Sequence, residues 1–439
     1  MNQSLELYSN WSSNRKITFR YLSVFFILYL FPFPLDQIPW VSNNILGTPL
    51  RIYGNLWNNF ISWAGELFFG FENGVPTQQT GSGDKSSNWI QLFLIVCLSL
   101  IGGTVWSILD RNRKDYKKLW RWVYMLVVYN LAFWMFLYGI MKIFSGQFSA
   151  PMISGLFETY GESSPMRLMW TFMGASETYT NFAGWSETIA GILLLFRRTR
   201  TIGGLAAAGV MLNVFMMNVS YDVPVKLFSL RLILTGLYVA LEDRKRLFNV
   251  FIFNKPAPAL EWKPIFKTPW KNYLLTAMQV IIMGNVIYSL TASAMSRPAE
   301  GARTELFGIY DTDLFIVNGD TLAPLTTSTV RWDKFWVEEE FYSSNYCGIM
   351  LMNDASSLYF FDIDEAENEI IIKPRGDTVN TYPFTYQFDG LKMIMDGVFK
   401  DDSLHIESTY FNPDNFNLNN RGFSWVSEIP FNRNVRYKK

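Results

Sequence analysis

The chain has 439 residues, 49% of them apolar and 17% aromatic, and its formal net charge at pH 7 is zero. This balanced charge argues against nucleic acid as a partner, because proteins that bind nucleic acids usually carry a basic surface. The mean hydropathy is only +0.09, so a strongly apolar part of the chain must be balanced by a polar part.

Residues that bind transition metals are scarce. His405 is the single histidine and lies far from the apolar segments, whereas membrane haem and copper sites normally need histidine ligands. We therefore expect no haem, copper or other metal site and no covalently bound cofactor. Of the two cysteines, Cys97 lies in an apolar segment and Cys347 in the polar C-terminal third, so we expect no disulfide bond between them.

The first apolar run has basic residues before it and no small-residue cleavage site after it. Arg15, Lys16 and Arg20 precede the run, which covers residues 21–31, and the chain continues with Pro34 and Asp36. This pattern predicts a signal-anchor helix and not a cleaved signal peptide.

Apolar segments of a length typical of membrane-spanning helices recur along the first two thirds of the chain. They predict about seven spans, of which the first and sixth are short or interrupted. In chain order the segments are residues 17–35, 89–109, 119–144, 177–196, 201–219, 225–241 and 273–292.

Clusters of basic residues predict the orientation of these spans. Loops rich in Lys and Arg face the cytoplasm under the positive-inside rule, and alternate loops of this chain carry few bases. We therefore predict a multi-pass protein of the bacterial inner (cytoplasmic) membrane with its N-terminus inside and its C-terminal domain extracytoplasmic. The clusters are Arg111, Arg113, Lys114, Lys117, Lys118 and Arg121; Arg197, Arg198 and Arg200; and Arg244, Lys245 and Arg246.

Two outside segments are too long for simple turns. Residues 36–87 contain an amphipathic, aromatic-rich stretch at 56–71, which either lies in the membrane interface or packs as a helix on top of the bundle. Residues 146–176 contain the mostly apolar run 166–173 and predict a short helix or re-entrant piece, which must be shielded by protein.

From Arg297 onward, apolar and polar residues alternate in short runs. Asn318-Gly319 and Asp389-Gly390 are hairpin signals. The pattern predicts eight or nine strands in local order, that is, an antiparallel meander closed as a barrel or folded as a sandwich. The predicted strands are residues 314–317, 330–338, 348–352, 358–362, 369–373, 381–388, 391–395, 403–408 and 422–428.

Aromatic residues of this C-terminal part, among them Trp332, Trp336 and Trp425, are most simply core residues of the β-domain, and a calycin-like ligand cup is the alternative. The predicted fold class is thus an α-helical membrane bundle followed by an all-β antiparallel domain. Its predicted parts are residues 1–118, with two spans and the outside amphipathic segment; 119–243, a four-helix core; 244–296, a cytoplasmic linker and the seventh span; and 297–439, the extracytoplasmic β-rich domain.

Four polar residues fall inside apolar segments, about nine to thirteen residues from the Lys/Arg-rich end of each. At about 1.5 Å per residue this places them near the bilayer midplane, where ionisable groups are costly, usually paired and often functional. One interpretation is a proton or quinone-headgroup site with a Glu187–Arg231 ion pair; the other is a polar staple that holds four helices together. The residues are Asn130, Glu187, Asn213 and Arg231.

A second polar cluster is expected at the outer face of the bundle. It forms either a basic, aromatic-lined pocket for an anionic or quinone-like ligand, or a set of lysines that reach the lipid headgroups beside an aromatic belt. Its residues are Tyr138, Lys142, Tyr179, Asn218, Tyr221, Asp222 and Lys226.

An ordered set of short motifs within residues 122–241 resembles the DoxX-like family of bacterial membrane proteins, in a long form with extra N-terminal helices and a C-terminal β-domain. The motifs are Tyr138-Gly139-Ile140-Met141-Lys142, Gln147-Phe148-Ser149-Ala150-Pro151, Ser164-Pro165-Met166, Trp170-Thr171-Phe172-Met173-Gly174, Phe182-Ala183-Gly184 with Glu187 and Gly191, Arg197-Arg198-Thr199, and Asn218 with Tyr221-Asp222-Val223-Pro224-Val225-Lys226.

The resemblance implies a four-helix membrane unit. Some members of the family look like subunits of thiosulfate:quinone oxidoreductase, and others like subunits of complexes that handle thiol or oxidative stress. Relatives of the long type often carry His where this chain has Arg231, which puts in doubt any role that needs a titrating imidazole, because arginine does not lose its proton in proteins.

Two functions follow as hypotheses. The first is a redox-linked subunit, associated with a quinone or a thiol donor, that would act as an oxidoreductase only together with a redox partner. The second is a non-enzymatic scaffold or binding module whose β-domain holds an extracytoplasmic envelope protein or a lipid-like ligand. Both have the lipid bilayer as a partner.

Overall fold

The structure is a computed structural model that describes residues 11–37, 41, 45–78, 80–144, 146–259, 266, 268–295, 303–338, 345–376, 380–420 and 425–428. It divides into two compact units. The helical unit contains Met1–Gln147, Ser164–Met169 and Thr178–Ala294, and the barrel unit contains Phe148–Ser163, Trp170–Glu177 and Met295–Lys439. The division does not separate the three predicted helical parts from one another, and it groups much of the predicted outside segment 146–176 with the β-domain.

The described residues form twelve α-helices and two short 3-10 helices, Leu35–Gln37 and Pro413–Asn415. The α-helices are α1 Ser13–Leu30, α2 Gly47–Phe69, α3 Ser86–Leu109, α4 Lys117–Ile143, α5 Ile153–Leu156, α6 Pro165–Gly174, α7 Glu177–Leu195, α8 Arg200–Ser220, α9 Lys226–Leu241, α10 Arg244–Phe251, α11 Pro269–Met295 and α12 Asn417–Asn420.

Five of the described helical segments are long and apolar enough to cross a membrane, by length and composition: Ser13–Gln37, Ser86–Leu109, Lys117–Ile143, Arg200–Ser220 and Pro269–Ser293. The other two predicted spans are also helical: α9 has only 16 residues, and α7 has 19 residues but is not apolar enough to meet the requirement. At about 1.5 Å per residue α9 is about 24 Å long, less than the roughly 30 Å hydrocarbon core. The prediction of about seven spans is therefore not confirmed; five segments meet the requirement.

Helix α1 is fixed to the loop between α3 and α4 by a buried arginine. Arg20 donates hydrogen bonds to the Tyr116 hydroxyl at 2.9 Å and to the carbonyl oxygen of Asp110 at 2.6 Å. The Tyr116 hydroxyl in turn donates to the Asp110 carboxylate at 2.9 Å. The loop that carries many of the basic residues is thus held by a hydrogen-bonded network at its two ends.

The amphipathic stretch predicted at residues 56–71 lies on α2, which starts earlier than predicted. Its buried residues, Ile61, Ala64 and Gly65, pack against Ile90 and Leu94 of α3. The opposite face of α2 keeps large apolar side chains exposed, including Leu56, Trp63 and Leu67. One face of α2 therefore packs against a helix of the bundle, and the other face leaves apolar side chains exposed.

Small residues let α8 and α9 touch at their backbones. An added Cβ atom at Gly204 would lie 2.8 Å from the carbonyl oxygen of Gly236, and one at Gly236 would lie 2.8 Å from that of Gly204. Ala208 and Ala240, four residues further along each helix, complete the small-residue contact. Such spacing is typical of helix packing in membranes, where close van der Waals contact replaces the hydrophobic driving force.

The β-domain is a closed barrel, which decides between the two predicted architectures. Strands β3 to β9 each pair antiparallel with the next strand, β1 pairs with β3, and β1 also pairs with β9, so that eight strands form a ring. The short β2 only extends β1 through the predicted hairpin, in which Asn318 and Gly319 both have positive φ, as a type I′ turn requires. The strands are β1 Gly308–Val317, β2 Asp320–Thr321, β3 Trp332–Val337, β4 Tyr346–Leu351, β5 Ser356–Asp364, β6 Glu369–Pro374, β7 Tyr382–Phe388, β8 Lys392–Phe399 and β9 Asp402–Phe411.

Alternate side chains of these strands fill the barrel. Trp332, Phe335 and Phe384 are at most 2% exposed, and Met393 and Ile406 are fully buried among them. Eight strands give an interior just wide enough to be filled by side chains. Trp332 and Trp336 are therefore core residues, as expected, and the packed interior favours this interpretation over a calycin-like ligand cup.

One predicted strand and one predicted core residue are wrong. Of the predicted strand 422–428, residues 425–428 form no strand and 422–424 lie outside the described residues. Trp425 is 91% exposed and so belongs to no core.

A buried carboxylate joins the barrel wall to helix α5 within the barrel unit. Glu338, only 3% exposed, accepts hydrogen bonds from the backbone N–H groups of Ile153 and Ser154 at 3.0 and 2.8 Å and from Trp336 Nε1 at 3.2 Å. Burial raises the pKa of the Glu338 carboxyl above its ordinary value, and these donors oppose that shift. Ile153 and Phe157 pack beside Trp336 in the same place.

The backbone contact between α8 and α9 predicts opposite effects for two glycines of one helix. Gly204→Ala should lower the free energy of unfolding by about 1–3 kcal/mol, because its methyl group meets backbone atoms that must shift. Gly209→Ala should be neutral or stabilising by up to about 1 kcal/mol, because nothing lies within 4 Å and alanine favours the helix. Thermal unfolding of the full chain in detergent measures both; equal effects would contradict the close contact.

The single histidine offers a clean pH probe of the barrel. The hydrogen bond from His405 Nδ1 to Asp396, 2.7 Å long, raises the pKa of the imidazole above 6.5, and Glu407 adds to the shift. Because the folded pKa is raised, the stabilisation is complete below pH 6.5 and is lost as the pH rises through the folded pKa. An imidazole NMR titration should give a pKa above 6.5 in the wild type and a lower one in Asp396→Asn; an unshifted wild-type pKa would contradict the contact.

Candidate functional site

A buried ion pair between α4 and α7 is the centre of the candidate site. Lys142 Nζ lies 2.9 Å from both carboxylate oxygens of Glu187, and the two side chains are only 6% and 1% exposed. A charge removed from water costs several kcal/mol unless it is paired and hydrogen-bonded. Each of these two groups supplies the partner that the other needs.

The geometry of the two helices explains why Lys142 turns into the bundle. It lies one residue before the C-terminal end of α4, and side chains of a helix lean toward the helix N-terminus. Its long chain therefore points back along α4, toward Glu187 in the middle of α7. The interpretation in which Lys142 reaches outward to the headgroups is wrong.

Glycines allow this approach. An added Cβ atom at Gly139 would lie 2.8 Å from the carbonyl oxygen of Gly184, and one at Gly184 would lie equally close to that of Gly139. The helices α4 and α7 therefore touch at their backbones, one turn from Lys142 and from Glu187. Thr188 also lies at this crossing, and its Oγ1 is buried without a hydrogen-bond partner in the part of the chain that the structure describes.

The predicted Glu187–Arg231 pair is wrong, since both oxygens of Glu187 face Lys142. Arg231 instead lies among aromatic rings of α1, α4 and α9. Its guanidinium carbon is 4.5 Å from the ring centre of Phe228, 5.1 Å from that of Tyr29 and 5.6 Å from that of Trp134.

The two midplane asparagines differ in position. Asn130 is 6% exposed, inside the core of α4. Asn213 is exposed, and its amide contacts only Met217 Sδ of its own helix, at 3.9 Å. Since buried Met211 lies two residues earlier, about 200° around the helix, Asn213 faces away from the bundle. The four residues therefore do not converge on one interior site.

The predicted outer-face cluster also separates. Tyr138 stays with the buried pair, because Lys142 Nζ lies 5.4 Å from its ring centre. Asn218 is buried and donates to Ser229 Oγ at 3.1 Å, which closes the turn between α8 and α9. Tyr179 and Tyr221 are 38% and 37% exposed.

Asp222 and Lys226 form a surface ion pair at 2.8 Å, with the aspartate side chain 85% exposed. Next to them is Asp84, which no pattern in the sequence indicated as a site residue. Its carboxylate accepts from the backbone N–H groups of Lys226 and Leu227, at 2.8 and 2.9 Å, and so caps the N-terminus of α9. This part of the cluster therefore links Asp84 to the start of α9 and does not form an open pocket.

Metal ligands give no further site. The described residues contain no group of three or more His, Cys, Asp or Glu side chains that could hold a metal ion. Cys97 and Cys347 are free, and burial raises the pKa of the Cys347 thiol. The polar groups at the candidate site are the carboxylate of Glu187, the amine of Lys142 and the hydroxyl of Thr188.

The chain is similar to a curated protein whose name states no activity. A Bacillus subtilis (strain 168) protein with the name "Uncharacterized protein YwoB" is 31% identical over 123 residues, which are 28% of this chain and 77% of that protein. The chain belongs to the YwoB family. No family model matches it, and no solved structure is similar to it. The name of YwoB states no activity, so the function of this member of the YwoB family is argued from its side chains.

Two lysines at the same end of the bundle predict contrasting effects. Lys142→Met should lower the free energy of unfolding by about 3–5 kcal/mol, because it leaves the carboxylate of Glu187 buried without its partner. Lys226→Met removes a surface ion pair and should change stability by at most about 1 kcal/mol.

The double variant Lys142→Met with Glu187→Gln should lose less stability than the sum of the two single variants, because no charge then remains buried. Chemical unfolding of the full chain in detergent measures all four proteins. Equal stability of Lys142→Met and Lys226→Met would show that the buried pair does not hold α4 and α7.

Proposed function

We propose that this protein is an integral protein of the bacterial inner membrane, DoxX-like, with its N-terminus in the cytoplasm and its barrel outside. Five segments long and apolar enough to cross a membrane support the membrane location. The orientation is supported by the basic residues between α3 and α4, between α7 and α8, and at the start of α10, which favour the cytoplasmic side.

Within the membrane, the proposed role is that of a redox-linked subunit, associated with a quinone or a thiol donor, whose partner carries the electron transfer. The observation that carries this proposal is the buried Lys142–Glu187 pair. Reduction of a quinone takes up two protons with two electrons, so a subunit that serves it needs groups that exchange protons inside the bilayer. Buried acids in membrane segments are the usual means.

The geometry of the pair suits proton exchange. Because Lys142 Nζ donates to both oxygens of Glu187, moving one proton along either hydrogen bond gives a neutral amine and a neutral acid without moving heavy atoms. The neutral acid then has a proton to give to a ligand, and the neutral amine takes up a proton, which restores the charged pair.

The second candidate function is the non-enzymatic scaffold. The filled interior of the barrel favours it in one respect, since a partner of this domain has to bind on the barrel surface. The two candidates differ in what accompanies the purified protein.

The test is purification of the full chain from native membranes in mild detergent, with Glu187→Gln and, as a matched control, Glu66→Gln on the exposed face of α2. Quinone is extracted and quantified, accompanying proteins are identified by mass spectrometry, and quinone-dependent electron transfer is measured. We expect a quinone and a redox protein with the wild type. Glu187→Gln should keep the partner and lower turnover about 100-fold or more, whereas Glu66→Gln should not.

Full turnover of correctly inserted Glu187→Gln would rule out the proton-exchange role. An envelope protein in the purified material, without quinone or a redox protein, would establish the scaffold in place of the redox-linked subunit.

A further inference from the structure

Arg231 lies in apolar surroundings and has no anionic partner among the described residues. It is the sixth residue of α9, about 7.5 Å along the axis from the first. Its neighbours Leu230 and Leu234 are 36% and 59% exposed on the outer surface of that helix. No carboxylate of the described residues pairs with Arg231, and the nearby acid, Glu187, has both oxygens on Lys142.

The rings around Arg231 compensate its charge only in part. Phe228, Tyr29 and Trp134 lie within 4.5 to 5.6 Å of the guanidinium carbon, which is the distance of cation–π contacts. Such contacts are weaker than the attraction of a counter-ion, and they leave Arg231 Nη2 without a hydrogen-bond acceptor among the described residues.

Two donors at this place are unsatisfied. Arg231 Nη2 and Trp134 Nε1 are both buried and have no hydrogen-bond partner among the residues that the structure describes. Their side chains face each other across 5.6 Å, measured from the guanidinium carbon to the ring centre. Buried donors are nearly always satisfied in proteins, so two adjacent ones indicate an acceptor that the described residues do not supply.

We propose that Arg231 and Trp134 bind an anionic oxygen group, phosphate or carboxylate, of an amphiphilic ligand. The positive charge selects an anion over a neutral carbonyl, and the two N–H donors fit an oxygen acceptor. Phe228, Tyr29 and Trp134 form the apolar wall beside the charged group, and the exposed leucines of α9 lie where an acyl chain continues. This site is separate from the Lys142–Glu187 pair and does not depend on the redox role.

An acidic phospholipid and free phosphate share the chemistry that this site would recognise, and one experiment separates them. Native mass spectrometry of the full chain in detergent measures binding of phosphatidylglycerol and of phosphatidylcholine with the same acyl chains, with and without inorganic phosphate. Trp134→Phe keeps the ring and removes one donor, Arg231→Gln removes the charge, and Trp185→Phe, at an exposed position of α7, is the matched control.

We expect phosphatidylglycerol to bind at least tenfold more tightly than phosphatidylcholine. Trp134→Phe should weaken that binding roughly tenfold, as loss of a hydrogen bond to a charged group does, and Arg231→Gln should weaken it further. Trp185→Phe should bind as the wild type does. Displacement by inorganic phosphate would assign recognition to the phosphate group alone, and persistence of the lipid would assign it to the whole headgroup.

Equal binding of the two lipids, or equal binding by Trp134→Phe and Trp185→Phe, would overturn the proposal. The Trp134→Phe comparison decides the matter even where Arg231→Gln does not fold, because an exchange of one aromatic ring for another conserves most of the packing.

Discussion

A charge inside an apolar bundle has to find an opposite charge nearby, and in this protein that requirement joins α4 to α7. Lys142 and Glu187 satisfy each other at 2.9 Å, with almost no exposure to solvent. The pair forms only because the helices touch at Gly139 and Gly184, which brings the two side chains within reach. The glycine contact and the buried ion pair therefore depend on each other. The glycines bring the helices close enough for the pair to form, and the pair holds the helices together.

The sequence predicted the position of each polar residue along its helix, but it did not predict which face of the helix the residue lies on. The distance from basic loops placed Glu187 and Asn213 at similar depths, yet Glu187 lies inside the bundle and Asn213 on its outside. Which face of a helix is buried depends on the helices beside it. The seven apolar segments of the sequence do not show which of these helices are adjacent. Lys142 was misplaced for a related reason, because a lysine near a helix end suits both the interface and the interior until the lean of its side chain is known.

The barrel was predictable to a greater extent because a strand has only two faces. Alternation in eight short runs placed every strand of the ring, and the turn at Asn318 and Gly319 set the first hairpin. Closure was not readable, since it depends on pairing between β1 and β9, which are far apart in sequence. The same limit hid two acidic residues: Asp84 caps α9 and Glu338 caps α5, each across more than a hundred residues.

Among the described residues of the helical unit, several charged side chains have an oppositely charged or polar partner, whereas Arg231 has no carboxylate partner. Lys142 is matched by Glu187, Lys226 by Asp222, and Arg20 by the oxygens of Asp110 and Tyr116. Among the described residues, Arg231 has the aromatic side chains of Phe228, Tyr29 and Trp134 as neighbours and no carboxylate. No carboxylate of the described residues pairs with Arg231, so this position is open to an external anion. The fold therefore separates the pair that holds two helices together from the cation that remains available to a ligand.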